Sequence, residues 1–192
     1  MSAPAIENAA VRYAIDRRSS KFTVRVIATG MLSALGHSPT FAIRKFEGEV
    51  EFSPDAPEAS SLRIQVEADS LEVMDDIKSK DRQEIESTMN QSVLETGKYP
   101  AITFETRSAS VEPLGGSRYR ASLNGYLTLH GVTRPVVIPV LLTHMGDMLR
   151  AGGEFSLLQT DFGITLVSVA GGTLKVKDEL KFVFDIVARK PE

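Results

Sequence analysis

Gly125 to Pro139 reads GYLTLHGVTRPVVIP, two apolar arms around a His-Gly pair, and it decides the fold. In the first arm Leu127 and Leu129 alternate with Thr128 and His130, the two-residue period of a half-buried strand. The second arm, Val136 to Leu142, is apolar at nearly every position and is expected to lack a wet face. Between them Gly131 is free to take positive φ, while Pro135 removes a donor and sets φ where the second arm begins. Turn and register are therefore specified locally, and a barrel containing this hairpin has an asymmetric surface.

The same period recurs on both sides of the hairpin. Phe22, Val24 and Val26 alternate with Thr23 and Arg25; Leu62, Ile64, Val66 and Ala68 alternate with Arg63, Gln65 and Glu67. Val50 and Phe52, Ile102 and Phe104, and finally Phe182, Phe184 and Ile186 form further combs. Pro54 and Pro57, Pro113 with Gly115 and Gly116, and Gly146 with Asp147 punctuate the spaces between them. About eight strands result. One segment departs from this: in Asp76 to Glu95, Ile85, Met89 and Val93 recur every four positions, which predicts an amphipathic helix. Asp75 or Asp76 is expected to cap it, Gly97 to stop it and Pro100 to prevent continuation. The prediction is an all-β, mainly antiparallel fold: a lipocalin-like barrel of about eight strands with one inserted helix, since closure removes exposed edges.

At 192 residues without a linker the chain reads as a single domain, 1–192, with its core at about 11–189. Its 42% hydrophobic residues and net charge of −3 give no basic surface for an anionic polymer, so nucleic acid is not an expected partner. With no cysteine, disulfides, thiolate nucleophiles and Cys-type zinc sites are excluded. The N-terminal stretch shows no basic leader followed by an apolar run, which predicts a cytoplasmic protein as written; a trimmed periplasmic protein would read the same way.

Several stretches together resemble the YceI-like family of lipocalin-like proteins: Tyr13-Ala14-Ile15-Asp16 with Ser20, Phe46-Glu47-Gly48 leading to Phe52-Ser53-Pro54, Lys80-Asp81-Arg82, Lys98-Tyr99-Pro100 with Thr103-Phe104, Leu127 to Val136, and Asp161-Phe162-Gly163-Ile164. The resemblance runs from about Tyr13 to Arg189. It implies an extended antiparallel barrel with a helix, a homodimer, and an apolar tunnel for a polyisoprenoid, isoprenoid quinone or similar chain that is bound, stored or transported without turnover. Ser19 and Ala28 stand where the family commonly has histidines, so the head-group end of the ligand is the part that transfers least.

By parity, the candidate lining residues are Phe22, Val24, Val26, Ile102, Phe104, Leu127, Leu129, Phe182 and Phe184, with His37 in a loop at a possible tunnel mouth. An eight-stranded barrel either fills with its own side chains or holds one small ligand, and the combs fit both. His130 reads as a turn residue bonding a nearby carbonyl or carboxylate, and His144 as solvent-exposed. Arg44, Lys45 and Arg134 read as surface charge rather than as a pyrophosphate site, and Asp75, Asp76, Asp81 and Glu84 as a solvated helix start. Histidines at 37, 130 and 144 lack metal-ligand spacing, and no GxSxG elbow is present. The expectation is a non-enzymatic carrier with no cofactor, whose partners are an apolar lipid and, transiently, a membrane. The alternatives are an enzyme acting on a hydrophobic substrate in the same cavity, and an interaction module with a filled barrel.

Overall fold

The computed structural model describes residues 10–30, 38–169 and 174–191. Among these lie twelve strands: β1 (Val11–Ile15), β2 (Lys21–Gly30), β3 (Thr40–Ile43), β4 (Phe46–Phe52), β5 (Ser61–Glu67), β6 (Leu71–Val73), β7 (Ala101–Gly115), β8 (Arg118–Leu129), β9 (Val132–Met145), β10 (Met148–Leu158), β11 (Ser168–Val169) and β12 (Leu174–Arg189). One α-helix, α1 (Ser79–Thr88), stands between β6 and β7. The strands run β1-β4-β5-β7-β8-β9-β10-β12, and β12 returns to β1 through Ala14↔Arg189 and Ile15↔Ala188, so eight antiparallel positions close into a barrel.

The four extra strands come mainly from interruptions. β1 and β2 are one barrel position broken at Arg17–Ser19, and β3–β4 and β5–β6 are likewise broken at Arg44 and Lys45 and at Ala68–Ser70. Side chains repair each break. The Asp16 carboxylate accepts from the Ser19 hydroxyl at 2.7 Å, from the Arg18 amide at 3.1 Å and from Arg189 Nε at 3.0 Å, while the Ser20 hydroxyl accepts from the Val187 amide at 2.9 Å. Buried Ser70 accepts from the Lys45 amide at 3.0 Å and donates to the Glu67 carbonyl at 2.7 Å. These bonds give the YAID-and-Ser stretch an architectural role.

Those donors hold the Asp16 carboxyl down to about 2, with the Ser19 hydroxyl the largest cause and Arg189 next. A depressed pKa contributes stability above the ordinary value of 3.8, and that contribution disappears as pH falls through about 2. Asp16→Ala is therefore expected to unfold in less denaturant than the wild type at neutral pH, with the difference narrowing as pH falls from 4 toward 2. Urea titrations at several pH values check this; a pH-independent difference would contradict it.

The helix differs from expectation at both ends. It starts at Ser79, with Lys78 at the N-cap position and no side-chain cap, because the Asp75 carboxylate is already engaged with the Thr40 amide at 2.8 Å. It runs on as a wider π turn over Met89–Val93 and ends at Glu95, which takes φ +46; Gly97 lies in the following turn. Its docking is also more polar than its apolar repeat suggests. Glu86 accepts from the Val73 amide at 2.9 Å, and the Arg82 guanidinium donates to the Val73 and Asp75 carbonyls. β6 pairs with β3 but not with β7, so Arg82 and Glu86 supply hydrogen bonds to an edge that would otherwise stand open. This accounts for the Lys80-Asp81-Arg82 stretch.

A second parting of the wall has no such cover. β8 and β9 pair along their whole length, from Leu129↔Val132 to Arg118↔Thr143. β9 and β10 pair only from Leu141↔Gly152 to Met145↔Met148, although β10 continues against β12 as far as Leu158↔Glu179. The prolines supply the reason. In a two-residue hairpin the pair flanking the turn is hydrogen-bonded and pairs then alternate, which places Pro135 and Pro139 in non-bonded pairs with β8 and turns their nitrogens toward β10. Two of the amides needed to continue a β9–β10 ladder do not exist.

Candidate functional site

Among the described residues, buried side chains pack both ends of the barrel. At the lower end, where the chain termini meet the barrel, Tyr13 and Phe52 are each 1% exposed and pack with Leu149 and Ala188. His144 belongs to this plug rather than to solvent: its register turns it inward, with Nε2 3.1 Å from the Tyr13 hydroxyl and its ring 5.4 Å from that of Phe52. Burial pushes the Tyr13 hydroxyl up from its ordinary pKa. At the upper end Met89 and Phe162 are buried, with Ile85, Val93 and Leu94 packed beside them.

His130 sits at this upper end. Both His130 (φ +52) and Gly131 (φ +73) are left-handed, the pattern of a type I′ turn. Gly131 is required twice over, since a Cβ there would stand 2.5 Å from Cε1 of Tyr99. The imidazole faces the Glu95 carboxylate at 2.7 Å through Nε2 and the Phe162 carbonyl at 3.3 Å through Nδ1, with the Tyr99 ring 4.5 Å away. It ties the hairpin to the helix end and to the Gln159–Phe162 turn, and does not point into the barrel.

Between the plugs lies a cavity of about 120 Å³. Its wall is apolar throughout except for Thr103. Of the residues named by parity, Phe22, Ile102, Phe104, Leu127, Leu129, Phe182 and Phe184 line it. Val24 and Val26 do not: Val24 is buried with Phe41 and Leu180, and Val26 packs against the same cluster. They lie farther along β2 than Phe22, where Val24 pairs with Phe41 of β3 and the Val26 amide donates to the Pro39 carbonyl. His37 lies outside the described residues. The structure adds Leu62, Ile64 and Val66 from β5, whose comb is visible in the sequence, and Phe155 and Leu157 from β10, whose central Gly152-Gly153 pair hides the alternation. It also adds Ile138 and Val140.

The rings set the shape of this space. Phe155 stacks on Phe182 at 4.9 Å with 7° between planes, and Phe184 and Phe22 meet Phe182's neighbourhood at tilted angles. No titratable side chain lines the wall. Arg44, Lys45 and Arg134 are engaged on the outer surface: Arg44 with Glu72 and Lys45 with Glu67, each at 2.8 Å, and Arg134 Nε with the Asp161 carbonyl at 3.0 Å. Among the described residues no three His, Asp or Glu side chains converge as metal ligands.

The outer face of β9 corrects one sequence reading. This arm does have a face toward solvent, and that face is apolar: Val137 and Leu141 are each 58% exposed, while Ile138 and Val140 point inward. A continuous apolar run conceals this, because both parities look alike.

Residues 13–188 match the family described as the YceI-like domain. The chain belongs to the YceI-like family. A UPF0312 protein of Azotobacter vinelandii is 30% identical over 162 residues, covering 81% of this chain and 77% of that one. Another from Vibrio cholerae is 27% identical over 177 residues, covering 88% and 86%. Among solved structures, this YceI-like domain is similar to Burkholderia cenocepacia BcnA, with a TM-score of 0.70 at 20% identity over 90% of this chain and 98% of that one. It is also similar to a polyisoprenoid binding domain from Saccharophagus degradans implicated in plant cell wall breakdown, with a TM-score of 0.63 at 12% identity over 93% and 98%. These likenesses establish the shared barrel.

Proposed function

We propose that this YceI-like barrel binds an apolar lipid chain of the isoprenoid type and stores or carries it, without chemical turnover. The observation that carries the reading is the closed barrel around a cavity whose wall is apolar but for one threonine. Ligand sites of this kind are recognised by concavity and apolar lining, with few polar groups to orient the guest. Family membership and the polyisoprenoid-binding Saccharophagus neighbour support the choice of ligand class. A wall with no acid, base or nucleophile favours binding over catalysis.

Each methylene moved from water into such a site is worth about 0.8 kcal/mol. A long isoprenoid resides in a bilayer, however, where its tail is already among hydrocarbon. Transfer from membrane to protein therefore gains little from burial, and selection must come from shape and length. Exchange with a bilayer needs only transient membrane contact, and a homodimer is compatible with it. The test is uptake: protein stripped by organic extraction and refolded, then mixed with a twenty-carbon prenyl alcohol, is expected to take up about one molecule per chain, read by native mass spectrometry. Absence of uptake across prenyl alcohols of several lengths contradicts the proposal.

A further inference from the structure

The inner cavity holds only part of a long chain of the class just proposed. An internal cavity of about 150 Å³ is the size that admits benzene, so about 120 Å³ accommodates roughly one five-carbon unit. A longer chain must leave the barrel somewhere. The lower end is filled by Tyr13, Phe52 and Leu149, each at most 2% exposed, and the upper end is covered by Met89 and Phe162. Of the two partings described above, Arg82 and Glu86 of α1 occupy the one beside β6.

The other is the seam between β9 and β10, and a groove of about 590 Å³ lies along it. Its lining is mixed: Val136 and Leu157 point into the barrel, Val137, Ser156 and Leu158 point out, and Arg134, Asp161 and Glu179 bring charged residues to its border. The groove is thus bordered by side chains from both faces of the wall. Leu157 lines both the groove and the cavity, so the two spaces meet at this side chain. Gly153 marks the fork where the strands separate: a Cβ there would lie 2.4 Å from the Pro139 carbonyl and 2.7 Å from the Phe184 ring. Arg134, held to the Asp161 carbonyl, closes the top.

We infer that the β9–β10 seam is a lateral portal: an apolar chain lies with one end among the phenylalanines of the cavity and continues past Leu157 into the outer groove. Pro135 and Pro139 keep the seam from closing as a sheet, and the exposed Val137 and Leu158 provide its apolar rim. Chain length is then read by how far the ligand extends along the groove, and entry from a bilayer occurs sideways. The inference rests on the lipid-binding reading above.

Ser156 is exposed on the groove side, so Ser156→Trp fills the groove and leaves the cavity wall intact. Affinities of wild type and variant are measured for two probes, a twenty-carbon prenyl alcohol and benzene, with circular dichroism confirming the fold. The expected result is that the ratio of long-chain to benzene affinity falls at least tenfold in the variant. An unchanged ratio overturns the portal. A wild type that binds benzene but no prenyl alcohol, or neither, overturns the lipid-binding reading and the portal with it, which separates the two failures. Because the chain has no cysteine, Ser156→Cys gives a single attachment point for an environment-sensitive fluorophore. The long chain is expected to shift its emission to the blue while benzene does not; equal response to both probes also counts against the portal.

Discussion

Phe155→Ala is expected to weaken the empty protein and strengthen its hold on ligand. Phe155 lies against Phe182 with centroids 4.9 Å apart, and both rings border the cavity. Truncating a core phenylalanine costs about 3–5 kcal/mol, and the lower end of that range applies because one side of this ring already faces empty space. For a chain of this size about 3 kcal/mol lowers the melting temperature by roughly 6–12 °C. The vacated volume then joins the cavity, so more of an apolar chain is held inside. Ligand at 100 times its dissociation constant stabilises by about 2.7 kcal/mol, and tighter binding raises that figure. Melting curves with and without a prenyl alcohol check both parts: the ligand-induced rise should be larger in the variant than in the wild type. Equal rises would mean that the phenylalanines do not limit the site.

Phe52→Ala should behave differently. Phe52 is 1% exposed in the lower plug, 5.4 Å from the rings of both Tyr119 and His144, and it does not border the cavity. Full burial places its loss at about 4 kcal/mol, toward the upper half of the range for such truncations. An edge-on contact with Tyr119 and a tilted one with His144 add to the simple transfer term. The melting temperature should fall by roughly 8–16 °C. The increment that ligand restores should match that of the wild type, since the plug supports the barrel without shaping the space. Denaturant titrations in the presence and absence of ligand distinguish the two variants. If Phe52→Ala raises the ligand increment as Phe155→Ala does, the lower end is part of the tunnel and the plug description is wrong.

The contrast between these two residues also shows what the sequence reveals and what it hides. Strand parity placed Phe104, Leu127, Leu129 and Phe182 on an inward face, and all four line the cavity, because an alternating comb has one possible orientation in a half-buried sheet. Parity says inward; it does not say at which height. Val24 and Phe22 share a strand face, yet Phe22 borders the cavity and Val24 is packed among Phe41 and Leu180. That difference depends on where the strand sits against its neighbours, a matter of register and long-range pairing. The breaks at Asp16 and Ser70 were equally hidden, since each is held by partners far along the chain, such as Arg189 and Lys45.

The hairpin that decided the fold carried a further message in its prolines. Pro135 was legible as a start to the second arm, and Pro139 passed as one apolar residue among several. Their shared parity matters only once β8 is known to take the opposite edge, and then they explain why β9 and β10 separate. His130 reads in the sequence as a turn residue bonding a carbonyl or carboxylate, and its contacts with Glu95 and the Phe162 carbonyl make it the tie between turn, helix end and barrel mouth. The helix repeat of Ile85, Met89 and Val93 was correctly inward, while the edge-binding by Arg82 and Glu86 had no periodic signal at all.

The claim that this YceI-like domain is a lipid-binding barrel is tested most directly on the protein as it is purified from cells, without added ligand. Native mass spectrometry under gentle conditions, followed by organic extraction and identification of what is released, reads occupancy and chemistry together. The expected result is an adduct of about one apolar chain per polypeptide, lost on extraction and regained when the stripped protein meets an isoprenoid lipid. A polypeptide of unadorned mass that releases nothing and takes up nothing would contradict the account and leave the barrel as a packed core.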